Sequence, residues 1–180
     1  MIKGEKTVLR PLSEADMEVI CQWEAGQHIA TAAYEHSARR LTISEEYRSR
    51  ANARTTRMFA IEAENGTLIG DIGLVEINCR RSEAELVVRI GDPRYLCKGY
   101  GYDAILSLLD HTFSSTKLDR VYLRVLADNL PAVKCFEHCG FKKHWVMTRQ
   151  IERRQPPRKL FLMAIEKEDL CSGADSNKAS

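Results

Sequence analysis

From Glu83 to Leu126 the chain reads as strand, glycine loop, helix, strand, and that order leaves few ways to fold. Between Gly99 and Phe113, Ala104, Ile105, Leu108, Leu109, Thr112 and Phe113 share one helical face. Arg120 to Leu126 alternates as a strand beside the one at Glu83 to Ile90. A strand, a crossover helix and a returning strand pack as a right-handed parallel unit. Upstream, Met58 to Glu64 and Leu68 to Ile77 read as strands joined at Asn65-Gly66, residues that tolerate the positive φ of a tight hairpin. Sequential strands of this kind pair antiparallel. The expected fold is therefore α/β: a mixed, mostly antiparallel sheet with one parallel pair, flanked by helices.

The flanks are consistent with this. Thr7 to Pro11 reads as a strand, and Ser13 as the N-cap of a helix with Met17, Ile20 and Cys21 on its buried side and Gly26 at its end. Gln27 to Thr42 is irregular and polar. Glu45 to Arg54 reads as a second helix, acidic first and basic last, which suits the helix dipole. Asn129 to Cys139 is a short helix closed by Gly140. Phe141 to Gln150 and Lys159 to Ile165 are closing strands. At 180 residues the chain suits one domain, expected over 1–170, with a small, polar, disordered tail at 171–180.

Composition removes several function classes. Twenty-seven basic against twenty-five acidic residues leave a net charge of +2, which gives nucleic acid no electrostatic footprint. No apolar run is long enough to cross a bilayer, and the first ten residues lack the apolar core of a secretory signal. Six cysteines in a core-rich chain read as reduced thiols of a cytoplasmic protein. Cys135 and Cys139 share a helix face, but a metal site needs two further ligands that the spacing does not supply, so no metal is expected.

The segment Leu96-Cys97-Lys98-Gly99-Tyr100-Gly101-Tyr102 stands between strand and helix. Its glycines let a ligand approach the backbone closely, and the first helical turn then presents its N–H groups. That is an anion site, with Lys98 beside it, although the same glycines also suit a plain turn at a helix entrance. The order Lys-Gly-x-Gly fits neither a P-loop nor a three-glycine dinucleotide fingerprint.

Together with Asn129-Leu130-Pro131-Ala132 and Gly140-Phe141, this loop resembles the paired motifs of the GNAT superfamily of N-acetyltransferases, in the branch of ribosomal-protein and spermidine N-acetyltransferases. The resemblance runs from about Lys6 to Lys167. It implies an acetyl-CoA-dependent transferase acting on a primary amine: a protein N-terminus, a polyamine or another small amine. It also implies that the pantetheine arm enters between splayed parallel strands and bonds the backbone near Val88, Arg89 and Ile90. The pyrophosphate would rest on Cys97, Lys98, Gly99, Tyr100 and Gly101, and Asn129 and Ala132 would face the arm. A homodimer follows by analogy.

Two positions depart from the pattern: Leu96 stands where a Gln or Arg is frequent, and Phe136 where a proton-donating tyrosine is frequent. Phe136 motivates an alternative, a catalytically weak acyl-CoA-binding module. The expected base is Glu85, with Glu76 and Glu83 as fallbacks. Glu62, Glu64, Glu76, Glu83 and Glu85 could also form an acidic surface, although strand alternation must divide them between faces. Trp23, Tyr34 and His36 would border the acceptor.

Overall fold

A computed structural model describes residues 1–26, 55–150 and 156–174. The expected helix over 45–54, the irregular stretch 27–42, and Tyr34 and His36 lie outside the described residues. The strands are β1 (Ile2–Lys3), β2 (Thr7–Pro11), β3 (Arg57–Ala63), β4 (Leu68–Asn78), β5 (Glu83–Ile90), β6 (Arg120–Leu126), β7 (Lys142–Arg149) and β8 (Arg158–Glu166). The described helices are α1 (Glu14–Gly26), α2 (Tyr100–Ser115), α3 (Leu130–His138) and α4 (Lys167–Ala174). Two elements were not foreseen: the short β1, and α4, which carries helix through Ser172 to Ala174.

All eight strands form one sheet in the order β1-β2-β3-β4-β5-β6-β8-β7. Every neighbour pair is antiparallel except β5 with β6. That parallel ladder holds only three residue pairs, Glu83↔Arg120, Ala84↔Val121 and Glu85↔Tyr122. Beyond Glu85 the two strands part, while β6 keeps its partner β8 along its whole length, from Arg120↔Glu166 to Leu126↔Leu160. A gap therefore opens toward the C-terminal ends of β5 and β6.

Alternation sorts the side chains onto two faces. Ala84, Leu86 and Val88 of β5 and Val121, Leu123 and Val125 of β6 join Ile105, Leu108 and Leu109 of α2 and Val133 and Phe136 of α3 in one buried cluster. This is the main source of stability, since burial of apolar area is the dominant favourable term in folding. The opposite face carries α1. Its Ser13 cap is reciprocal with Asp16: Ser13 N–H and Oγ donate to Asp16 Oδ2 at 2.7 and 2.6 Å. Arg10 of β2 grips the same carboxylate through both terminal nitrogens and reaches Glu62 of β3 through Nε at 2.6 Å. One guanidinium thus ties α1 to two strands. Among the described residues no helix is long and apolar enough to cross a membrane.

Candidate active site

The loop from β5 to α2 is anchored at its start, where Gly91 N–H donates to Ile69 carbonyl at 2.8 Å. Asp92 caps a single 3-10 turn, Pro93–Tyr95, by accepting from Arg94 N–H at 2.9 Å. The Arg94 guanidinium, on the same carboxylate, holds the Asp92 carboxyl below its ordinary pKa. Past Leu96 the chain turns through two left-handed residues, Cys97 at φ 56° and Gly99 at φ 89°. Gly99 is the N-cap of α2 and offers no side chain to bond the first turn. The leading amides of α2 are then left for another partner. Among the described residues a Cβ on Gly101 would meet only Ile90 Cγ1, at 3.8 Å, and none of them demands glycine there. Glycine there leaves the backbone open to close approach, the condition an anion at a helix N-terminus needs.

The expected cofactor residues fall into three places. Cys97, Lys98, Gly99, Tyr100 and Gly101 form this loop and the first turn of α2. Val88, Arg89 and Ile90 line the β5 side of the gap, past the end of the parallel ladder. The Arg89 side chain points to the other face, where its Nε donates to Asp71 Oδ1 at 2.8 Å in a buried cross-strand pair. Asn129 and Ala132 open α3: Asn129, the N-cap, accepts at Oδ1 from Ala132 backbone N–H at 3.3 Å.

At the point where β5 and β6 separate, a charged cluster occupies the face that carries α1. Glu85 is only 2% exposed, and both its oxygens accept from Arg124, Oε1 from Nε at 2.9 Å and Oε2 from Nη2. A carboxylate enclosed in this way cannot reach an amine without breaking the pair. Glu76 differs. Its side chain is 45% exposed, and it sits at φ 52° where the β4–β5 register shifts between Val75 and Asn78. Tyr122 hydroxyl donates to Glu76 Oε2 at 2.9 Å, and Arg124 Nη2 lies 3.6 Å from the same oxygen. Burial, and then the bond to Glu76, push the Tyr122 phenol well above its ordinary pKa, so it stays protonated as a donor.

The other glutamates do not join this cluster. Glu62 pairs with Arg10 and Glu83 with Arg81, while Glu64 is exposed beside the Asn65 turn. Trp23 packs against Gly91, where a Cβ would fall 2.0 Å from the indole ring.

Phe136 is 1% exposed and meets Phe141 edge to face, with ring centroids 5.9 Å apart, and its ring has no hydroxyl to donate. Cys135 and Cys139 are free thiols joined by a hydrogen bond. That bond lowers the Cys135 pKa and raises that of Cys139. Among the described residues no group of three or more His, Cys, Asp or Glu is placed to hold a metal ion.

Several contributors were invisible in sequence. Arg124 and Tyr122 read only as alternating strand residues. Asp103 carried no signal in sequence, yet it accepts from Thr7 Oγ1 at 2.6 Å, ninety-six residues away.

Residues 6–142 match the family model described as an acetyltransferase (GNAT) domain. A spermidine N(1)-acetyltransferase from Vibrio cholerae is 31% identical over 139 residues, 77% of this chain and 80% of that protein. One from Escherichia coli K12 is 27% identical over 78% of this chain and 75% of its own length. The crystal structure of the Vibrio cholerae spermidine N-acetyltransferase with CoA and spermine superposes with a TM-score of 0.81 at 24% identity. That superposition covers 92% of this chain and 98% of that one, and it shows the shared fold.

Proposed function

The chain belongs to the GNAT acetyltransferase family, and from that premise we propose that it acetylates a primary amine of a polyamine by direct attack on acetyl-CoA in a ternary complex. It is an acetyl-CoA-dependent N-acetyltransferase. Support for the finer reading comes from one observation: the parallel ladder ends at Glu85↔Tyr122, and the Tyr122 hydroxyl there donates to the half-exposed Glu76. The relatives named for spermidine agree with a carboxylate placed to receive a cationic chain.

In this mechanism the diphosphate rests on the amides from Cys97 to Gly101, and the pantetheine arm runs between β5 and β6 past Val88, Arg89 and Ile90. The acceptor ammonium approaches Glu76, which takes its proton directly or through one water. The freed nitrogen attacks the thioester carbonyl, a backbone N–H near Arg89 or Ile90 holds the oxyanion, and the C–S bond breaks. A free thiol titrates near pH 8.5, so the thiolate leaves and takes its proton from water without a tyrosine at 136. Glu85 serves by fixing Arg124, which in turn holds Glu76; the expected base thus becomes a positioning residue. Orientation of the two substrates supplies much of the rate.

The test is CoA release measured over a panel of spermidine, spermine, an N-terminal peptide amine and an aminoglycoside. The polyamines are expected to give the highest kcat/KM, and Glu76→Gln to lower it on the order of a hundredfold. Turnover confined to the peptide would overturn the acceptor assignment. CoA binding with no turnover on any amine would favour the weak acyl-CoA-binding module.

A further inference from the structure

We propose that Lys6 is the side-chain cation of the diphosphate site, delivered by the N-terminal turn rather than by the glycine loop. The inference rests on the reading of that loop as the seat of the acetyl-CoA diphosphate. The loop lacks one polar side chain, because Leu96 is apolar and 43% exposed. Lys6 reaches in from the turn between β1 and β2. Its Nζ donates to the Lys98 carbonyl at 3.3 Å and would lie 3.5 Å from a Cβ on Gly99, the N-cap of α2. The ammonium therefore stands over the residue from which the leading amides of α2 project.

This placement is built. Asp103, in the first turn of α2, accepts from Glu5 N–H at 2.8 Å, Lys6 N–H at 3.1 Å and Thr7 Oγ1 at 2.6 Å. The turn is closed by Gly4 N–H donating to Thr7 carbonyl at 2.8 Å. Gly4 admits no side chain, since a Cβ would fall 2.3 Å from Asp103 Oδ2. One carboxylate thus fixes the backbone of residues 5 and 6 and the side chain of Thr7 against the helix whose N-terminus forms the anion site. The same contact spends the negative charge of Asp103 on three donors, which lessens its repulsion of an incoming phosphate. The present partner of Lys6, a neutral carbonyl at long range, is weaker than a phosphate oxygen would be. Lys6 is exposed, so its effect must depend on salt.

The experiment compares wild type, Lys6→Ala and Lys6→Arg with acetyl-CoA, acetyl-dephospho-CoA and S-acetylpantetheine at low and high ionic strength. Lys6→Ala is expected to raise the Kd and KM of both diphosphate-bearing donors roughly fivefold to tenfold at low salt, with kcat unchanged. High salt should shrink the difference, Lys6→Arg should recover most of it, and S-acetylpantetheine should not register the change. Equal loss with all three donors would mean a distorted loop and would overturn the proposal, as would unchanged acetyl-CoA affinity. An effect lost on acetyl-dephospho-CoA would move Lys6 to the 3′-phosphate and refute its diphosphate role. Wild type without preference for acetyl-CoA over S-acetylpantetheine would remove the diphosphate reading itself, a separable failure.

Discussion

Alanine at Gly101 should make the protein more stable and a worse enzyme. The residue is the second of α2, its φ is not positive, and a Cβ there makes one ordinary contact, 3.8 Å to Ile90 Cγ1. Alanine is therefore unstrained, and it removes backbone freedom from the unfolded chain, a gain of about 0.4–1 kcal/mol. For a domain of this length that raises Tm by roughly 1–4 °C. The same methyl points toward Ile90 at the mouth of the gap, where the diphosphate would lie against the backbone. Displacing the ligand from one charge-assisted bond costs about 1.5–3 kcal/mol, or roughly 10- to 100-fold in affinity. Gly99→Ala is the control. Its φ of 89° penalises any side chain, so it should lose about 1–2 kcal/mol, and Tm should fall rather than rise. Thermal unfolding of the ligand-free proteins and calorimetric titration with acetyl-CoA read both quantities. A Gly101→Ala protein that binds acetyl-CoA as tightly as wild type would refute the cradle, whatever its Tm.

Three further outcomes are expected. Arg10, and then Ser13, hold the Asp16 carboxyl at about 2 against an ordinary 3.8. A carboxyl depressed by folding stabilises above its unfolded pKa, so about 2 kcal/mol should be present at neutral pH and fade as pH falls from about 4 to 2. Asp16→Asn should flatten that part of a denaturation-versus-pH curve, and an unaltered curve would discount the pair. Glu85→Gln strips the nearer charge partner from Arg124, whose side chain is only 16% exposed, and should cost about 2–4 kcal/mol in urea unfolding; a loss confined to kcat would restore Glu85 as base. Phe136→Tyr should leave kcat within about twofold if protonation of the departing thiolate is not limiting, whereas a tenfold rise would show that it is.

The strand-helix-strand unit, the Asn65-Gly66 hairpin and the short helix closed by Gly140 were legible because each is encoded within a few residues. The antiparallel middle strands and the parallel crossover followed from the same local patterns, and both are present. What escaped the sequence is what distance in the chain conceals. Asp103 meets Thr7, and Glu85 meets Arg124, across ninety-six and thirty-nine residues, and neither residue type announces its partner. Alternation could not tell a sealed carboxylate from an accessible one. That difference depends on Arg124, and on a bulge that turns Glu76 outward with a backbone angle glutamate seldom adopts. The last two strands were anticipated, but not that β8 would slip between β6 and β7.

Because only Glu83, Ala84 and Glu85 of β5 clasp β6, the sheet is in effect two panels hinged at one end. Each panel has an inner rim of backbone whose natural complement is another strand. Pantetheine carries two amides along an extended arm, and on the proposed reading it stands in for that missing strand. Acetyl-CoA should then act as a splint as well as a reagent, slowing amide exchange along both rims, Leu86 to Ile90 and Leu123 to Leu126, even where it makes no direct bond.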